Sequence, residues 1–154
     1  MSVLSFARVT DEQAARAWQQ VHNEIIPTDP LTLDQVVARS TAYVLDLASL
    51  GEQVVGCSTV RPVADGDPVT VIVRILPAFR RKGLGSAFLD HAVAQARELD
   101  ADRIQTIVLA SNTDGLEFAL RREFVETERY TLDGDAVAYV HLATSLDDLD
   151  QRLR

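Results

Sequence analysis

The segment Arg80-Arg81-Lys82-Gly83-Leu84-Gly85-Ser86 carries the densest chemistry of the sequence. Cationic side chains lead into a Gly-x-Gly pair, and a hydroxyl follows. The run sits between an apolar, strand-like stretch ending at Leu76-Pro77 and a helix-like stretch opening at Leu84. A helix start presents backbone N–H groups without intrahelical acceptors and the positive end of the helix dipole. Glycine lets an oxyanion approach the main chain because no side chain stands in the way. Arg81 and Lys82 add charge at the rim, and the Ser86 hydroxyl can donate to an anionic oxygen. The parts suit a small anionic ligand. The plainer alternative is that the glycines only shape a tight strand-to-helix turn. Other glycine-rich loops fit worse: a dinucleotide fingerprint needs a third glycine where Phe88 stands, and the order of a nucleotide P-loop is absent.

Charge sharpens that reading. The net charge of −8 argues against a nucleic-acid partner, which wants a basic surface. Lys82 is the only lysine, so its basic neighbourhood stands out in an acidic chain and points to a small anion. The single cysteine, Cys57, rules out a disulfide within the chain and suits a reducing cytoplasm. Met1 to Val9 does not read as a signal peptide. No stretch approaches the roughly 18 apolar residues of a membrane span. A cytoplasmic protein with no membrane partner is expected.

The elements that must position the Gly-x-Gly segment follow from periodicity. Ser5 to Val9 predicts a first strand. Thr10 with Gln13 forms a capping box ahead of Ala14, Ala17, Trp18, Val21 and Ile25 at helical spacing, predicting a helix over 11–23. Pro27 and Pro30 end it, and Thr32 with Gln35 caps a second helix from Leu33 to about Arg39. Strands are predicted over 42–47, 54–60 and 69–76, with turns at Gly51-Glu52 and Asp65-Gly66-Asp67-Pro68. The third is apolar on both faces apart from Thr70 and Arg74, the mark of a central strand, and Pro77 stops it. Leu89, Ala92, Val93, Ala96 and Leu99 form the buried stripe of the next helix. A strand over 104–109 follows, then a helix capped by Asn112 and Thr113 reaching about Arg122. Residues 125–130 and 136–142 predict a closing hairpin around Asp133-Gly134. The acidic tail, 145–154, is expected as a short exposed helix. The whole reads as one α/β domain of 154 residues with its core over about 4–143.

At this point the sequence resembles the GNAT superfamily of N-acetyltransferases. Arg80-Arg81-Lys82-Gly83-Leu84-Gly85 matches that family's Arg/Gln-x-x-Gly-x-Gly/Ala motif. The match extends upstream to Arg74-Ile75-Leu76-Pro77 and downstream to Asn112 and Phe124, and the element order agrees from Ser5 to Leu142. The resemblance implies a mixed central sheet of six to seven strands flanked by about four helices. It implies that Arg80, Arg81, Lys82, Gly83, Leu84, Gly85 and Ser86 bind the phosphates of acetyl-CoA, the co-substrate, mostly through backbone N–H groups. It implies that Arg74, Ile75 and Leu76 form the strand edge that pairs with the pantetheine arm, and that Asn112 contacts the cofactor near its thiol. As a helix cap Asn112 would serve equally well, and the roles are compatible. No metal is implied.

The sequence departs from the family pattern at three positions. The tyrosine that commonly protonates the departing thiolate is Ala119 here, the strand glutamate is Ile107, and the glycine before Phe124 is Glu123. The catalytic groups are therefore unassigned. His22 and Glu24, after the first helix, are candidates for a base, although a capping or surface role suits each. His91 reads as a polar-side residue, His141 as a packed core histidine, Cys57 as a small apolar residue and Trp18 as core. Asp147, Asp148 and Asp150 read as a solvated face rather than a metal site. The expectation is acetyl transfer to a primary amine, on a small molecule more readily than a protein. A silent acyl-CoA-binding sensor is the alternative. Homodimers occur on this fold, and no residue here proves one.

Overall fold

The computed structural model describes residues 3–63, 67–134 and 137–152. Its elements are β1 (Leu4–Arg8), α1 (Glu12–Ile25), α2 (Leu33–Ala42), β2 (Val44–Leu50), β3 (Gln53–Arg61) and β4 (Val69–Ile75). After a 3-10 turn at Pro77–Phe79 come α3 (Leu84–Glu98), β5 (Arg103–Leu109), α4 (Thr113–Arg121), β6 (Val125–Tyr130), β7 (Tyr139–Ser145) and α5 (Leu146–Arg152). The strands form one seven-stranded mixed sheet in the order β1-β2-β3-β4-β5-β7-β6. β4 is its central strand, and β4 and β5 run parallel. The ladders β1–β2, β2–β3, β5–β7 and β6–β7 are antiparallel. This is the expected α/β class, and the described residues form five α-helices where about four were expected. Chain contacts gather into two compact units: Met1–Arg61 with Ile72–Gln95, and Pro62–Val71 with Ala96–Arg154.

In the first unit, α1 starts on Asp11, whose carboxylate accepts from the Ala14 N–H at 2.8 Å. The expected Thr10 cap is displaced by one residue, because the Asp11 carboxylate reaches the third helical amide. α2 has the expected capping box: Thr32 and Gln35 exchange side chain-to-backbone bonds of 3.2 and 2.8 Å. It runs on to Ala42, so β2 begins later than predicted, at Val44. Trp18 is fully buried against Val21, Val36, Leu45, Leu47 and Cys57, and its indole N–H donates to the Ser58 carbonyl at 3.1 Å. Gly56 on β3 is required by proximity: a Cβ there would lie 2.5 Å from the Arg74 carbonyl oxygen. Phe88 on α3, outside the predicted stripe, is fully buried with Ala48, Val55 and Ile75.

In the second unit, β4 enters with Val69 opposite Ile104 and Thr70 opposite Gln105, and Gln105 Nε2 donates to Thr70 Oγ1 at 2.8 Å. β7 lies between β5 and β6, so the closing hairpin is folded with its second strand inward. That strand starts at Tyr139 rather than Ala136; Asp135 and Ala136 lie outside the described residues, as do Asp65 and Gly66 of the predicted turn. Leu99 is 40% exposed, not part of the stripe, because α3 ends at Glu98 and Asp100 turns left-handed with φ 58°. The tail helix α5 is only partly the exposed element expected: Leu146 and Leu149 are buried while Asp147 and Asp148 face solvent.

Candidate active site

The segment after β4 is built by its own backbone chemistry. Pro77 opens the 3-10 turn, where its missing N–H costs nothing. Phe79 N–H donates to the Leu76 carbonyl at 2.9 Å. Arg81 and Gly83 then take left-handed conformations, with φ 65° and 78°. Such residues turn neighbouring main-chain N–H groups into a concavity that attracts anions. Ala87 N–H bonds the Gly83 carbonyl at 3.3 Å, so the amides of Leu84 and Gly85 precede the first intrahelical bond of α3. The first turn of α3 contains no acidic residue. A Cβ built on Gly83 meets nothing within 4 Å, so the main chain is open to a ligand there. These features fit a phosphate group.

The cationic side chains divide their work. Arg80 Nε donates to the Ile75 carbonyl at 2.8 Å and ties the turn back to the end of β4. Arg81 and Lys82 are exposed, and the Lys82 ammonium stands 5.7 Å from the centre of the Phe79 ring. Leu76 N–H donates to the Val55 carbonyl on β3 at 2.8 Å. The Arg74 carbonyl also faces β3, against Gly56. Strand alternation therefore turns the main-chain groups of Val73 and Ile75 to the opposite edge. Of Arg74, Ile75 and Leu76, only Ile75 has its backbone on that edge. Arg74 is half-buried, and burial lowers its pKa; Cys57 opposes the shift, and the charges of Arg61 and Arg39 add to it.

The other sequence candidates in the first unit are accounted for by structure. His22 is buried, stacks on Trp18 at 5.4 Å and has Nε2 3.2 Å from the Asp29 carbonyl oxygen. Burial, reinforced by the Arg74 charge, lowers its pKa to about 4, which suits a neutral packed ring rather than a base. Glu24 is exposed on the last turn of α1. His91 is not a surface residue of the helix: its Nε2 lies 2.7 Å from the buried Asp46 carboxylate, and its ring stacks on Phe6 at 4.1 Å. Cys57 is fully buried, and burial pushes its thiol up to about 12.

In the second unit, Asn112 caps α4, its Oδ1 accepting from the Gly115 N–H at 3.0 Å. Ala119 is buried in α4. Ile107 on β5 faces His141 on β7 in the antiparallel register. His141 is half-buried rather than core, and its Nε2 is 3.0 Å from the Tyr130 hydroxyl. The sequence held a signal for this that the composition of the strand obscured. Val140, Leu142 and Thr144 alternate as the buried face of β7, which leaves Tyr139 and His141 on the other face.

The Acetyltransferase (GNAT) family model matches residues 9–124. The chain belongs to the GNAT acetyltransferase family. Solved structures agree in fold with this GNAT chain. The Ard1 structure from Thermoplasma volcanium has a TM-score of 0.78 at 15% identity, covering 92% of this chain and 97% of its own. Arabidopsis thaliana Naa50, in complex with the bisubstrate analogue CoA-Ac-MVNAL, gives 0.75 at 18% identity, covering 93% and 99%. Salmonella typhimurium yncA with its cofactor acetyl-CoA gives 0.73 at 16%, covering 94% of both chains. No curated protein matches at a significant level. Among the described residues no helix is long and apolar enough to cross a membrane, and no group of three or more His, Cys, Asp or Glu residues is placed to hold a metal.

Proposed function

We propose that this GNAT protein transfers the acetyl group of acetyl-CoA to a primary amine by direct attack. The carrying observation is the open left-handed turn at Arg81 and Gly83, running into a helix start free of acidic residues. Its main-chain N–H groups and the Arg81 and Lys82 charges would hold the cofactor phosphates. The Val73 and Ile75 edge of β4 would pair with the pantetheine amides as an added strand does. A thioester carbonyl supplies the electrophile, and an N–H of that edge is suited to polarise it. Cys57 is buried with its pKa raised to about 12, which speaks for direct attack rather than an acyl-cysteine intermediate. The net charge of −8 favours a cationic, small-molecule acceptor.

Gly85→Glu places bulk and negative charge at the helix start. The expected result is a loss of acetyl-CoA affinity of at least about 100-fold by calorimetry with the melting transition retained, on the scale of a charge clash in a desolvated anion site. Unchanged affinity would move the cofactor elsewhere. Binding of acetyl-CoA with no thiol release across a broad panel of amines would favour a silent sensor over an enzyme.

A further inference from the structure

One face of the first unit's sheet carries arginines that the phosphate turn does not use. Side chains two residues apart on a strand share a face. Cys57 of β3 and Leu76, just past β4, both pack into the Trp18 core with α1 and α2. Arg61 on β3 and Arg74 on β4 therefore lie on that same face. On α2, Val36 packs into the same core, and Arg39 follows it one helical turn later. Arg39, Arg61 and Arg74 are all half-buried. The Arg61 guanidinium stands 5.3 Å from the centre of the Tyr43 ring, which packs against that core too.

The three charges act on one another. Burial lowers the pKa of Arg74, and the charges of Arg61 and Arg39 add to the fall. The charges of Arg74 and Arg39 likewise reinforce burial in keeping His22 neutral. Among the charges that act most strongly on Arg74, Asp29 alone is anionic, because the buried Cys57 thiol, pushed up to about 12, stays protonated. Neither Arg39 nor Arg74 has a carboxylate oxygen within ion-pair distance among the described residues. Arginine does not shed its proton in a protein, so like charges gathered in partial burial call for an anion from outside. A carboxylate matches the guanidinium fork through paired N–H···O bonds.

We propose that Arg74, with Arg39 and Arg61, binds a carboxylate of the acceptor, which is therefore a small primary amine that is also a carboxylic acid. The proposal rests on the acetyl-transfer reading and narrows its acceptor class. Such a zwitterion offers the ammonium that the net charge of −8 favours and the anion that the local cluster requires. Arg74 stands between Val73 and Ile75, the residues whose main chain is proposed to pair with the pantetheine arm. The strand that would align the donor thus also carries the group that would hold the acceptor.

The test follows thiol release from acetyl-CoA with phenylalanine, methionine and β-alanine, each beside its neutral amide, and with spermidine and phenethylamine. The readout is the ratio of kcat/KM for acid and amide, compared between wild type and variant so that the differing basicity of the two amines cancels. Arg74→Gln is expected to lower that ratio by about 10- to 100-fold, the scale of charge-assisted hydrogen bonds. Arg74→Lys keeps the charge without the fork and should fall between the two. An arginine that served the fold alone would change acid and amide alike. Arg39→Gln is expected to lower the ratio about three- to tenfold and decides the matter if Arg74→Gln folds poorly. An active wild type whose ratio is the same in Arg74→Gln and Arg39→Gln overturns this inference alone, as does turnover of spermidine or phenethylamine with none of the acids. A wild type inert toward every amine overturns acetyl transfer and this inference with it.

Discussion

Glu123 occupies the left-handed position that ends α4, with φ 70°. The Phe124 N–H reaches back to the Ala119 carbonyl at 3.1 Å, closing a Schellman-type cap in which glycine is the unstrained choice. Glu123→Gly is expected to stabilise the fold by about 0.5–1 kcal/mol in urea unfolding, the left-handed strain relieved less the added chain entropy. His22 gives a pH prediction. Its folded pKa of about 4 lies below the ordinary 6.5, so the unfolded chain takes up a proton that the folded chain refuses. Its contribution to stability is complete above pH 6.5 and is lost as pH falls toward 4, by about 2 kcal/mol between pH 7 and pH 5. Urea midpoints measured across that range should flatten in His22→Phe, which keeps the stack on Trp18. A slope unchanged in the variant would assign the effect to another group. At this scale the sequence was readable where local rules act alone, as in the Thr32–Gln35 box. It was unreadable where a partner is remote: His141 meets Tyr130 only across a register that no spacing encodes.

The elements of the first unit are fastened by one buried carboxylate. Asp46 on β2 accepts from Arg8 Nε of β1 at 2.7 Å and from Gln95 Nε2 of α3 at 2.6 Å, with His91 Nε2 at 2.7 Å. Burial alone would raise its pKa, but the hydrogen bonds from His91, Gln95 and Arg8 outweigh it and the pKa falls. A carboxylate lowered in this way stabilises the fold above its unfolded value near 3.9 and loses that contribution as pH drops through the folded one. Asp46→Asn replaces an acceptor with a donor facing other donors, and a loss of about 2 kcal/mol is expected at neutral pH by denaturant titration. Gly56→Ala drives a methyl into the Arg74 carbonyl on the neighbouring strand, with an expected cost of about 1–3 kcal/mol. Helix and strand centres were legible because apolar period reports burial. The inward placement of β7 was not, since a hairpin reads the same whichever of its strands meets the sheet. Leu99 misled for a related reason: the helical stripe continued in sequence one residue past Glu98, where α3 ends just before the left-handed Asp100.

For the molecule as a whole, anything that binds the folded state and not the unfolded one stabilises it by mass action. Acetyl-CoA at about 100 times its Kd should add about 2.7 kcal/mol, a rise in Tm of roughly 5–10 °C for a domain of this size. ATP and NAD at the same concentration should leave the transition in place. Equal shifts from all three would mean that the anion turn does not select coenzyme A. The fold class was legible from element order, and the Gly-x-Gly turn from composition alone. The division of the chain into two compact units was not, because it depends on which strands exchange contacts rather than on any boundary in composition. Lys82 adds a chemical corollary. A protein that keeps an activated acyl donor at hand exposes its own amines to stray acylation, and this chain has a single lysine to lose. That residue stands exposed on the proposed phosphate turn, so accidental modification would neutralise one of the charges proposed to hold the donor. Spent and intact molecules would then differ by one acetyl mass at one position, and a bound donor would shield the very group that its reactivity endangers.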